Sequence, residues 1–331
     1  MCTIRLDPEC IEVIHDGCYA LDTVRAENVS ILCTPRPPPQ FPVPDAAIPS
    51  SWKGIPDGTV IDGREWHVWH KLRSWLRHPS IDVSDDEFPV SAWLPFVRGY
   101  GYASDEEVFQ NIWSSIQWKR KMRVNEATLD LYKFSPRLLE YEKMCPAGVI
   151  GHDPLNHPVF YEHISNVDSR TFMTAVTDEE FTNIMIARRE VQRLYFAECS
   201  NKMRKRIYKM IMVIDVAGMD RGHLGSAFLH RFKSFNSSFS SNFPDSMLKI
   251  VIINAPLIFQ VLWNVIKVFI NPVTAKKIVI AGARHDATFA QVTLLPGAQM
   301  HGRTLKCNPR PWSRIWEEYR DNGKLHDLRR V

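Results

Sequence analysis

The sequence predicts an α/β layered domain with parallel crossovers, preceded by a helical subdomain. Three observations carry this. Met210 to Gly218, MIMVIDVAG, is a nearly continuous apolar run, the pattern of a strand covered on both faces. Phe243 to Gly282 reads as strand, helix, strand, and strands alternating with helices form a layered sheet. Two capping boxes, Ser104-x-x-Glu107 and Thr177-x-x-Glu180, mark helix starts, because each hydroxyl satisfies a backbone N–H that the first turn leaves free.

Taken in order, residues 1–50 form an irregular lead-in. Its run PRPPPQFPVP, Pro35 to Pro44, favours an extended polyproline conformation and is either a linker or a docking segment for a protein partner. Residues 51–130 form the helical subdomain. It holds an aromatic-rich helix, REWHVWHKLRSWLRH, with His67 and His70 at i, i+3 and no evident third metal ligand. A second helix runs from Ser104 to about Arg123 with Val108, Ile112 and Ile116 on its apolar face. The α/β domain spans residues 131–300. Pro158 to Ile164 reads as its strand, and a long helix follows from Thr177 to about Lys202, with Arg188, Arg189, Glu190 and Glu198 as solvated charges. After the strand at Met210 come a polar helix from about Leu224 to Ser241, a strand Lys249 to Asn254, an apolar helix, and a strand Lys277 to Ala281. Residues 301–331 form a basic tail, read as a solvated helix.

The apolar helix between Pro256 and Pro272 has an unusual composition. From Leu257 to Ile270 only Gln260, Asn264 and Lys267 are polar, at i, i+4 and i+7, so its polar stripe is thin. Burying a large apolar side chain is worth roughly 1.5–3 kcal/mol. Such a helix calls for apolar cover around almost its whole circumference, from a protein core, a lipid, a membrane, or each in turn.

The 331 residues are 45% hydrophobic and 24% charged, an ordinary balance for one or two folded domains. The longest apolar run, about 14 residues, is short of the roughly 20 that span a bilayer. The opening MCTIRLDPECIEVIHDGCYA lacks a signal-peptide pattern. Seven widely spaced cysteines point to reduced thiols and a cytoplasmic location. Cys2, Cys10, Cys18 and Cys33 cluster without C-x2-C pairs. From Gly302 onward eight Lys and Arg face four acids, so the tail carries the whole net charge of +4, a feature attractive to anionic lipid surfaces. Phosphate-loop, dinucleotide and nucleophile-elbow motifs are absent. Asp215 at a strand end, His223 and the adjacent His285-Asp286 specify no reaction. The expectation is a protein without catalytic residues, cofactor or metal.

Four segments resemble the CRAL-TRIO family of SEC fourteen-type lipid-binding proteins. FPDSMLKIVIINAP (Phe243 to Pro256) is similar to the family's (Y/F)PERM-x-K-x-x-I-I-N-A-P segment, and INPVTAKKIVIAG (Ile270 to Gly282) to its D-P-V-T-x-x-K-I segment. HPVFYEHISNVD (His157 to Asp168) resembles the P-V-Y-x-E strand, and Pro89 to Lys121 the helical leader, in which Arg98 meets the first leader arginine while Tyr100 and Gly101 stand where basic residues are usual. The resemblance implies a helical N-terminal subdomain followed by an α/β lobe with a hydrophobic lipid pocket and a gate helix. The gate falls on Leu257, Phe259, Leu262, Trp263, Ile266 and Phe269.

The resemblance also implies headgroup contacts from Thr274 and Lys277, with Asp245 on the acidic position of P-E-R-M and Ser246 in place of its arginine. Hydroxyl-bearing pocket positions of choline-lipid binders fall on Phe160, Met210, Met212 and Phe239, all without a hydroxyl. The implied partners are a lipid, most of all a phospholipid such as phosphatidylinositol, and a membrane surface touched peripherally; nucleic acid is not among them. A scaffold without transfer activity and a carrier of a sterol or isoprenoid are the alternatives.

Overall fold

The computed structural model describes residues 63–282, apart from breaks at 79–80, 85–86, 89–91, 101–102, 154–155, 204–206 and 271. It also describes residues 300–329 apart from 302–303 and 306–308, and the backbone of two paired strands, Glu12–His15 and Cys18–Thr23. The Pro35 to Pro44 run, the side chains of the early cysteines, and His285-Asp286 lie outside the described residues.

The centre is a five-stranded sheet in sequential order. Its strands are β1 (Ala147–His152), β2 (Pro158–His163), β3 (Met210–Asp215), β4 (Met247–Ile253) and β5 (Ile278–Ile280). β1 pairs antiparallel with β2, and every later pair is parallel, as expected when each crossover contains a helix. The edge strand β1 (AGVIGH) went unread in the sequence: two glycines weaken its strand pattern.

Before the sheet come α1 (Gly63–Leu76), α2 (Trp93–Gly99) and α3 (Asp105–Lys121). Ser104 caps α3 by accepting from Glu107 N at 3.2 Å, and Asp105, Glu106 and Glu107 occupy its first turn, where the helix dipole favours negative charge. Val68, Leu72, Trp93, Leu94, Val97, Ile112 and Ile116 form the core of this region, which Tyr208, just before β3, joins. Arg98 ties the two parts together: Nε and an Nη reach Glu65 at 2.6 and 2.9 Å, and the other Nη donates to Tyr208 OH at 3.1 Å.

The crossovers are α4 (Asp178–Met203), α5 (Ser226–Asn242) and α6 (Leu257–Ile266). The capping box at α4 is complete, with Glu180 N to Thr177 Oγ1 at 3.1 Å and Thr177 N to Glu180 Oε2 at 2.8 Å. α4 differs from its sequence reading in one respect. Arg188 and Glu190 are buried rather than solvated, and Arg189 is half-buried, because α4 is covered on more than its sheet-facing side. Arg188 is neutralised by Glu162 of β2 at 2.8 Å and Glu190 by Arg193 at 2.9 Å.

The C-terminal segment is also not the solvated helix the charge pattern implies. In α7 (Trp312–Asp321), Trp312, Ile315, Trp316 and Tyr319 are at most 2% exposed, while Arg314 and Arg320 stay outside as partners of acids on the same helix. The apolar residues at i, i+3, i+4 and i+7 outweigh the charges between them. The approach depends on Gly148, where a Cβ would stand 1.9 Å from Arg310 O. That contact lets Val149 and Arg310 exchange backbone hydrogen bonds of 2.9 and 3.1 Å.

Candidate functional site

Parallel register places Phe160, Met212, Ile250 and Ile278 in one row across β2 to β5, so they share one sheet face. The two halves of that face end differently. Over Phe160 the space is full: the Trp312 ring stands edge-on at 4.6 Å, with Phe196 at 5.9 Å and Tyr195 at 6.2 Å. Over Met212 and Ile250 lies a cavity of about 320 Å³. α4, α5, the 243–246 turn and the chain after α6 bound it.

The cavity has an apolar wall and a charged end. Met185, Met212, Phe235, Phe239, Ile250 and Ile270 supply the wall; Arg188, Arg189, Asp245, Ser246, Thr274 and Lys277 supply the end. Of the pocket positions inferred from sequence, Met212 and Phe239 line this cavity. Phe160 and Met210 do not; both are 0% exposed and packed in the core, and over Phe160 the aromatic side chains of α4 and α7 take up the volume. Phe239 lies on α5 within a run of rings, 4.4 Å from Phe235 and 5.4 Å from Phe243.

Thr274, Lys277 and Asp245 do come together at the charged end. Lys277 is not a lysine in water. Its Nζ lies 2.7 Å from Asp245 Oδ1 and donates to Met247 O at 2.8 Å. The other Asp245 oxygen takes Lys209 Nζ at 2.9 Å, with both of those side chains at most 6% exposed. Burial lowers the Lys209 pKa, and Asp245 opposes the shift. Sequence reasoning missed Lys209, which follows a buried tyrosine and has no motif of its own.

Arg189 was missed for a different reason: amid four charges on a long helix it resembled solvated surface. Its guanidinium donates to Ser246 Oγ and, at 2.8 Å, to Gln192 Oε1, and it lies 5.3 Å from the Phe243 ring centre. Burial pushes its pKa down to about 10, with Glu190 opposing. Thus where the resemblance puts an arginine at 246, this chain has a serine that receives an arginine from α4. Gly99 at the end of α2 closes the rim: a Cβ there would meet Pro244 Cβ at 2.8 Å, so only glycine lets α2 approach this turn without displacement. Asp245 itself has φ of +47°, a left-handed turn conformation that Asp tolerates better than most residues.

α6 is covered on one side only, contrary to the full apolar cover its composition called for. Phe259, Leu262 and Ile266 are buried, and Trp263 is half-buried, stacked on Phe259 with centroids 6.4 Å apart. Leu257, Val261, Val265 and Val268 face outward at 85%, 55%, 40% and 69% exposure. The helix therefore seats an i, i+3, i+7 stripe and leaves a second apolar stripe bare. The Phe269 side chain lies outside the described residues; of the other five gate positions none lines the described cavity, whereas Ile270, just beyond, does.

Asp215 and His223 do not meet as a catalytic pair. Asp215 is 0% exposed and accepts from Tyr161 OH, Asn254 Nδ2 and Ala217 N at 2.9–3.0 Å, which fixes the turn after β3. His223 pairs with Asp220 at 2.9 Å. Among the described residues no helix is long and apolar enough to cross a membrane.

Comparison with known proteins agrees with this architecture. Residues 142–293 match the family model of the CRAL/TRIO domain. Protein real-time of Anopheles gambiae is 22% identical over 212 residues, 64% of this chain and 30% of that protein. The phosphatidylinositol/phosphatidylcholine transfer protein SFH12 of Arabidopsis thaliana is 25% identical over 192 residues, 57% of this chain and 35% of that protein. This chain spans about a third of the length of these curated relatives. The crystal structure of Sfh5 superposes with a TM-score of 0.52 at 14% identity, covering 70% of this chain and 84% of that one, which shows a shared fold. With its matched domain and its mainly parallel sheet, this chain carries a CRAL/TRIO domain at residues 142–293.

Proposed function

We propose that this chain binds one phospholipid, of the phosphatidylinositol type, and exchanges or presents it at a membrane surface. The observation that carries this is the two-ended cavity: methionine, phenylalanine and isoleucine on one wall, arginine, lysine and hydroxyl groups at one end. That is the complement of an amphiphile. The transfer relatives, named for phosphatidylinositol and phosphatidylcholine, support the reading. So does Arg189, whose donors reach only neutral oxygens and which a sterol or isoprenoid would leave without a counter-charge.

The mechanism is physical rather than catalytic. Each methylene drawn out of a bilayer into water costs about 0.8 kcal/mol, and an apolar wall offsets that cost. Thr274 donates a hydroxyl and Lys277 an ammonium to the headgroup phosphate. Asp245 then stays neutralised by Lys209 when Lys277 turns to the ligand. The bare stripe of α6 and the turn after it (Leu257, Val261, Val265, Val268) rests on the bilayer interface when α6 lifts as a gate. This reading goes with a cytoplasmic protein that associates peripherally with membranes, which the widely spaced cysteines support.

Native mass spectrometry of purified protein tests the core of this reading: a phospholipid mass on the intact chain is expected. Lys277→Ala lowers uptake of phosphatidylinositol from vesicles; unchanged uptake removes Lys277 from the headgroup role. A second reading, a scaffold with a reduced pocket, is favoured by one observation: the described cavity lies at the low end of the roughly 300–1,000 Å³ usual for ligand sites. A chain that carries no lipid and takes up none would establish it.

A further inference from the structure

The charges around the cavity do not balance. Four cations converge on its polar end: Arg188, Arg189, Lys209 and Lys277. Among the described residues, the ion pairs of Arg188, Lys209 and Lys277 use two carboxylates. Glu162 is committed to Arg188 at 2.8 Å, and Asp245 is shared between Lys209 and Lys277 at 2.9 and 2.7 Å. Among the described residues no carboxylate forms an ion pair with Arg189. Its donors go instead to the neutral oxygens of Ser246 and Gln192. Glu190, its neighbour in sequence, is held by Arg193. Buried Lys119 adds another cation nearby, 5.1 Å from the same Phe243 ring that Arg189 approaches.

The contrast with Arg98 shows that this is not how the protein treats a purely structural arginine. Arg98 holds both Glu65 oxygens and a tyrosine hydroxyl, a complete bidentate arrangement. A guanidinium partly withdrawn from water without such a partner is costly. Arg189 also borders the cavity, as do Ser246 and Lys277. It approaches the Asp245–Ser246 turn from α4, whereas Lys277 approaches it from the end beyond α6.

We propose that Arg189 is a specificity-determining residue which, with Lys277, clamps a phosphomonoester dianion across the Asp245–Ser246 turn. A phosphomonoester carries about two negative charges at neutral pH, against roughly one for a phosphodiester. Arg189, with no carboxylate of its own among the described residues, and Lys277, once Lys209 holds Asp245, supply two positive charges that match the first. The planar guanidinium takes two phosphate oxygens, the ammonium of Lys277 takes another, and Lys209 retains Asp245. This rests on the lipid reading above but moves its preferred headgroup from the phosphodiester of phosphatidylinositol to a terminal phosphate, because the phosphate is taken to sit on an amphiphile whose chain lies along Met212 and Phe239. The same chemistry would also accept a soluble phosphomonoester.

The test is equilibrium binding of the full chain to three probes: phosphatidylcholine vesicles with phosphatidic acid, a phosphomonoester lipid; the same vesicles with phosphatidylinositol, a phosphodiester; and glycerol 3-phosphate in solution. The wild-type chain is expected to prefer phosphatidic acid. Arg189→Gln, which keeps hydrogen bonding to Ser246 but loses the charge, weakens that binding about tenfold or more and changes phosphatidylinositol binding less than about twofold. Arg189→Lys retains part of the preference, and circular dichroism confirms that each variant is folded. If Arg189→Gln does not fold, the Arg189→Lys result decides: a preference equal to that of the wild type, or none, overturns the proposal. Equal loss on both lipids, or loss on neither, also overturns it. Binding of glycerol 3-phosphate alone, still lost in Arg189→Gln, upholds the clamp and sinks the lipid reading. Binding of phosphatidylinositol with indifference to phosphatidic acid leaves the lipid reading standing and removes the clamp.

Discussion

The two halves of one sheet face differ more than their sequences suggest. Phe160 and Met212 are direct register partners on β2 and β3, and both carry large apolar side chains. Above Phe160, three aromatic rings complete a packed core. Above Met212, α5 and the 243–246 turn leave a void ended by cations. The difference lies in what is brought from elsewhere in the chain. α7 delivers Trp312 to one half, while α4 delivers Arg189 to the other. A sheet face is thus partitioned into structure and site by distant segments.

The partition can be broken from its packed side first. Trp312→Ala removes a fully buried indole and is expected to lower stability by about 3–5 kcal/mol, read as a drop in the denaturant midpoint. Trp312→Phe costs less, since Nε1 of Trp312 is buried without a partner. A denaturation midpoint unchanged in Trp312→Ala would mean that α7 is not part of the core.

Next in size is Gly148→Val. The new side chain displaces Arg310 and with it the start of α7, costing about 1–3 kcal/mol; greater protease sensitivity in the C-terminal segment is the check. Smaller still is Phe239→Ala, on the open side. Phe239 is half-buried and borders a void, so its removal costs about 1 kcal/mol, the lower end for an apolar deletion, while lipid uptake changes. A loss as large as that of Trp312→Ala would equate the two halves and end the comparison.

The last test reads thiol reactivity rather than stability. Cys199 lies in the packed half, 3.6 Å from His152 Nε2, and burial pushes its thiol up to about 12. Cys145 is likewise raised to about 12 by burial. At pH 8 roughly one such thiol in ten thousand is ionised, so iodoacetamide labelling of either, read by peptide mass spectrometry, is slow until the chain unfolds. A Met212→Cys variant places a thiol on the cavity wall and labels faster than both. Equal rates at positions 199 and 212 would show that the void is closed to solvent.

Local chemistry made much of the fold legible. Periodicity located α3, α4, α5 and α6, the capping hydroxyls placed the starts of α3 and α4 within one residue, and apolar runs located β2 to β5. These signals are carried by neighbours within a few residues. β1 went unread because two glycines weaken its pattern, and α7 was read as a solvated helix because charges masked an apolar stripe whose contacts lie more than a hundred residues away. The candidate site divided in the same manner. Thr274, Lys277 and Asp245 sat in recognisable segments, and the structure gathers them at one end of one cavity. Arg189 and Lys209 had no local mark, since a charged residue on a helix reads the same whether it faces water or a void. The sequence by itself determined the order of strands and helices and an apolar α6 that no ordinary surface helix would carry. Only the tertiary structure decided which half of the sheet face is filled and which arginine meets a carboxylate, because burial and charge balance are properties of the whole packed chain.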